Sequence, residues 1–176
     1  MNIDIFDGFT LYPGERLDEL FIPEEYSEFL TRTGLPTWCA PEMHFGKVGE
    51  AWTFLPVIEV GPERYVGLGE DRDDAVIGLN LKEHSIWVIT EDSEPAFMAQ
   101  NVIELSQALY RFQACIDSAV ESDAVAFTKN RIPPPCLEPF VFWANTTNRF
   151  LVQDGSFWHS VLLWLGVPNQ SFKADA

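Results

Sequence analysis

Glu70, Asp71, Asp73 and Asp74 place four carboxylates within five residues, broken only by Arg72. That density suits a calcium loop, an acid and base pair, or a surface for a cationic partner. A calcium loop counted from Asp71 needs glycine at its sixth position and glutamate at its twelfth, where this chain has Val76 and Lys82. An acid and base pair needs an orienting group, and no histidine lies beside the run. The preceding Gly67 and Gly69 begin a GxG, yet the third glycine of a dinucleotide loop falls at Arg72, and Glu70 and Asp71 would face the phosphates. What is left is a solvated acidic turn or a surface for electrostatic recognition.

Other candidates fare no better. His44, His84 and His159 are scattered, with no HExxH. Cys39 and His44 lie five residues apart, a spacing that thiolate chemistry does not require. Ser156 follows Gly155, but Trp158 stands where a nucleophile elbow needs glycine. Cys39, Cys115 and Cys136 form no CxxC pair and read as buried free thiols. No catalytic, cofactor or metal residue is assigned, and the chain reads as a non-enzyme.

The acidic run sits between strand patterns. Val66 and Leu68 close one strand, Ile77, Leu79 and Leu81 recur at period two, and Ile86 and Val88 follow the break at Lys82 to Ser85. The result is an antiparallel meander. Phe45 and the run from Trp52 to Val60 read as earlier strands, ended by Gly61 and Pro62. A helix is predicted from Pro23 to Gly34, buried through Tyr26, Phe29 and Leu30. A second begins at Asn101, which can accept from the Glu104 amide while Glu104 reaches back to the Asn101 amide. Val102, Leu105, Leu109, Phe112 and Ile116 then form one apolar stripe. Residues 129–140, with Pro133, Pro134, Pro135 and Pro139, read as an extended, stiff connection to a C-terminal helix from Ser156 to Leu165. The fold class is α+β, mainly an antiparallel meander flanked by helices, in a single domain over 1–176, with residues 1–21 unassigned.

The chain has 176 residues, 47% apolar, and a net charge of -16. Residues 1–30 contribute -7 and residues 70–94 contribute -6, so two segments hold nearly all of it. Such a surface repels phosphate backbones and attracts a basic protein. No apolar run can span a bilayer, and MNIDIFDGFT lacks a signal peptide's basic flank and apolar core, so a cytoplasmic location without membrane contact is expected.

The order of these motifs resembles the SUKH superfamily, known for immunity proteins of bacterial polymorphic toxin systems and for a fungal cell-wall regulator. FLTRTGLPT at Phe29–Thr37 is similar to its first helix and loop; YVGLGEDRDDAVIGLNLKEHSIWVI at Tyr65–Ile89 is similar to its central strands. NVIELSQALYRF at Asn101–Phe112 is similar to its closing helix, and GSFWHSVLLWLG at Gly155–Gly166 to the C-terminal helix of the fourth immunity branch. Relatives often place glycine in the turn where this chain has Lys82, Glu83 and His84, so a left-handed residue is expected there. The resemblance implies a non-catalytic immunity protein that neutralises a cognate toxin, such as a nuclease or nucleic-acid deaminase. The charge pattern, not the resemblance, places the expected partner-binding surface at Glu70, Asp71, Asp73 and Asp74, joined by Glu91, Asp92 and Glu94. An adaptor on the same scaffold is the alternative, and a metal-dependent hydrolase using the acidic turn a remote one.

Overall fold

Alternating apolar residues along 57–99 lay down an antiparallel sheet, and the chain as a whole is α+β. The computed structural model describes residues 5–46, 48–49, 54–123, 125 and 132–168. The chain divides into two compact units, Met1–Ser106 and Gln107–Ala176.

In the first unit, β1 (Phe9–Thr10), α1 (Gly14–Glu19), α2 (Glu24–Arg32), β2 (Leu35–Pro36), β3 (Trp38–Cys39) and β4 (Met43–Phe45) precede the meander. The meander comprises β5 (Val57–Val60), β6 (Glu63–Glu70), β7 (Val76–Asn80), β8 (Ile86–Ile89) and β9 (Ala96–Ala99). The strands are ordered β3-β4-β6-β7-β8-β9, and β5 shares the edge of β6 with β4. Only Leu30 of α2 is buried, whereas Tyr26 and Phe29 are half-buried. The strand expected over Trp52–Val60 is shorter: Leu55 adopts φ 52°, Pro56 has no N–H to give, and pairing starts at Val57; Trp52 lies outside the described residues.

One irregularity of β6 organises this unit. Gly67 pairs with Gly78 and Gly69 with Ile77, so Leu68 is an extra, bulged residue. Its carbonyl, left out of the β7 ladder, accepts from the Gly46 amide at 2.8 Å and from the buried Tyr12 hydroxyl at 2.6 Å. The unassigned N-terminal segment therefore has a structural role: β1 pairs with β2, and Tyr12 locks the bulge. Gly69 is required for a different reason. A Cβ there would lie 2.1 Å from the His44 carbonyl oxygen, so only glycine lets β4 close on β6. The GxG is a sheet-packing feature.

The helix α3 (Val102–Ser122) opens as its cap predicts, with the Glu104 amide donating to Asn101 Oδ1 at 2.8 Å. The Glu104 carboxylate accepts from Gln100, one residue before the amide expected, at 2.6 Å. All five residues of the apolar stripe are buried.

The second unit corrects the reading of the prolines. The segment expected to be extended turns helical at α4 (Pro134–Thr147), while 126–131 lie outside the described residues. Pro134 and Pro135 occupy the first turn, where helix amides have no partner to lose and the fixed φ suits the helix. Pro139 lies inside the helix, where it forgoes one backbone hydrogen bond. Burial of Leu137, Phe140, Val141 and Trp143 offsets that loss. A 3₁₀ turn at Arg149–Val152 leads to α5 (Phe157–Trp164), whose Ser156 hydroxyl accepts from the His159 amide at 3.2 Å. Phe112, Phe140 and Trp158 meet with ring centroids 5.0–5.5 Å apart, and all three are fully buried. Trp158 and Leu162 of α5 are fully buried, whereas Trp164 is 44% exposed. None of the described helices is long and apolar enough to cross a membrane.

Candidate functional site

The strand register brings three loops to one end of the sheet. Glu70 pairs with Val76 and Val76 with Ile89, so the β6–β7 turn and the β8–β9 loop emerge side by side. Cys39 pairs with Met43, and His44 with Glu70, which places the β3–β4 turn beside them. Together 40–42, 70–75 and 90–95 carry Glu42, Glu70, Asp71, Asp73, Asp74, Glu91, Asp92 and Glu94 against the single base Arg72.

These carboxylates are not equivalent. Asp71 holds the turn: its Oδ1 accepts from the Asp73 amide at 2.9 Å and the Ala75 amide at 3.0 Å. Glu70 accepts from the Gly49 amide. Asp73 is 76% exposed and lies 3.5 Å from Arg72 Nε, which is 3.8 Å from Glu42. Glu91, Asp92 and Glu94 are exposed in the 90–95 loop.

A recess of about 510 Å³ opens beside the turn, lined in part by Trp38, Glu42, His44, Glu70, Arg72 and Asp74. Trp38 pairs with His44 and His44 with Glu70, so three directly opposed residues form one row across β3, β4 and β6. Alternation sends Trp38 outward, 42% exposed, and its neighbour Cys39 into the core. Cys39 and His44 therefore leave the sheet on different faces, and burial pushes the Cys39 thiol far up, so it stays protonated.

Glu70, Asp71 and Asp74 thus share the recess, Asp73 stands at its edge, and Glu91, Asp92 and Glu94 extend the same sheet end outside it. The sequence reading missed Trp38, Glu42 and Arg72 as members. The apolar-polar-apolar alternation Met43, His44, Phe45, just after the Trp38-Cys39 pair, was the available signal for Trp38. Among the described residues, no group of three or more His, Cys, Asp or Glu is placed to hold a metal ion. This geometry supplies a concave, negatively charged surface with an aromatic wall. Searches of protein-family models, of curated proteins and of solved structures found no match to this chain.

Proposed function

We propose that the chain is a non-catalytic immunity protein whose acidic sheet end binds and neutralises a basic protein toxin. The observation that carries this reading is the convergence of eight carboxylates and a single arginine on three separate loops at one end of the sheet. Separate turns brought into register make a field that one solvated loop does not. A toxin acting on nucleic acid needs a cationic cleft, and the acidic end complements such a cleft in charge. The resemblance to the SUKH superfamily agrees in the order of its elements.

The test pairs the chain with a basic toxin encoded beside its gene. Co-expression should restore growth, and the purified proteins should associate at a rate that falls steeply with salt. Replacing Glu91, Asp92 and Glu94 by Lys should slow association on the order of tenfold at low salt and flatten its salt dependence. A triple variant that associates and protects as the parent does overturns the assignment of this surface.

A further inference from the structure

We propose that the recess beside Trp38 receives an arginine side chain of the partner, its guanidinium laid on the indole and its N–H groups turned toward the lining carboxylates, among them Glu42, which Arg72 now engages. The proposal rests on the acidic sheet end being the binding surface, and names the group that this surface reads.

The cavity and its aromatic wall carry the inference. A large indole left 42% exposed on a sheet face is a hydrophobic and π surface, and it lines the same recess as Glu42, Glu70 and Asp74, with His44 between it and Glu70 in the row across the strands. The volume of about 510 Å³ admits one long side chain with its stem. Arg72 shows which head group the rim fits: its guanidinium lies between Glu42 of one turn and Asp73 of another, at 3.8 and 3.5 Å. Arg72 and Glu42 are about half exposed and Asp73 is more so, so both pairs are weak and exchangeable. An incoming guanidinium gains Glu42 and the other lining carboxylates, Glu70 and Asp74, and also the indole face. Planarity favours arginine over lysine here, because the guanidinium stacks on a ring while donating in its own plane.

Arg72 is thus a resident competitor, and its removal should have the opposite sign to removal of any other wall. Titration of the full chain with an oligoarginine peptide, followed by nitrogen-15 NMR, should move the Trp38 indole N–H signal, identified by its loss in Trp38→Phe. Trp38→Ala should weaken binding about fivefold with an unchanged salt slope, since no charge is lost. Arg72→Ala should tighten binding about threefold, through one fewer positive charge and freed carboxylates. An oligolysine peptide of equal length should bind more weakly and move the indole signal less. An Arg72→Ala variant that fails to tighten, or oligolysine that matches oligoarginine, overturns the proposal. An unmoved Trp38 signal, with binding lost on reversal of Glu91, Asp92 and Glu94, overturns the recess but keeps the acidic surface. Binding indifferent to both Trp38→Ala and that reversal overturns the acidic surface itself.

Discussion

Asp71 and Asn80 stand at opposite ends of β7, and each folds a turn by accepting two backbone amides. Asp71 Oδ1 takes those of Asp73 and Ala75; Asn80 Oδ1 takes those of Lys82 and Glu83 at 2.8 and 2.9 Å. Each turn also contains one non-glycine left-handed residue, Asp74 at φ 60° and His84 at φ 61°. The acceptor geometry is shared, and the surroundings differ. Asn80 is 4% exposed and its Nδ2 donates to Glu63 at 3.1 Å, which a carboxylate cannot do. Asp71 is half-buried at the rim of the recess. Amide or acid is thus chosen by burial and neighbours, and only the acidic end keeps its charge in reach of a partner.

Removing the recess while leaving both turns' side chains in place should have the largest effect. Gly69→Ala puts a methyl group 2.1 Å from the His44 carbonyl, against backbone that cannot yield without unpairing β4. A loss of about 4 kcal/mol is expected in chemical denaturation, together with loss of oligoarginine binding. A variant of parental stability would mean that β4 does not depend on that close approach.

Next in size is an exchange of chemistry between the turns. Asn80→Asp keeps the acceptor oxygen but buries a charge facing the Glu63 carboxylate, which should cost about 3 kcal/mol at neutral pH. The introduced acid should have a raised pKa in the folded state, because burial and a like charge both favour its protonated form. Stability should therefore recover as pH falls through that raised value toward the ordinary carboxylate range, and decline as it rises. A pH-independent loss would place the damage in geometry.

How much of this was legible in the sequence follows the range of each interaction. The capped stripe of α3, the meander and the left-handed His84 depend on neighbours in sequence, and all are found as expected. The four-carboxylate turn was equally visible. Its joining with Glu91, Asp92 and Glu94 was posed from sequence proximity to the next strand, and the sheet register accounts for it. Trp38, Glu42 and Arg72 come together only through the pairing of β3, β4 and β6, which are separated by residues with no periodic signal. The prolines misled because a run of them satisfies both an extended strap and a helix's first turn, and the apolar residues 137–143 decide the matter. The bulge at Leu68 is hinted at locally by the flanking Gly67 and Gly69, but the donors to its carbonyl, Gly46 and Tyr12, lie far away in sequence.

The reciprocal exchange should do little to the fold. Asp71→Asn retains an acceptor at a half-exposed site, so a loss of roughly 0.5–1 kcal/mol is expected, whereas Asp71→Ala forfeits both amide contacts and should cost about 2 kcal/mol. Binding should separate the two effects. If the turn matters only as scaffold, Asp71→Asn binds oligoarginine as the parent does; if its charge is read, affinity falls and the salt slope shallows by about one charge.

The smallest effect probes the left-handed residues. An L-residue in that region costs roughly 1–2 kcal/mol, and glycine removes the cost while adding roughly 0.5–1 kcal/mol of unfolded-state entropy. Asp74 is exposed, so Asp74→Gly should gain about 0.5 kcal/mol, a rise in Tm of about 1–2 °C. His84 is half-buried with its ring centroid 6.1 Å from that of Tyr26, and His84→Gly forfeits that packing and should leave Tm unchanged. Thermal unfolding of the two variants side by side decides it. Equal gains would mean that the Tyr26 contact contributes nothing and that the two turns differ in charge alone.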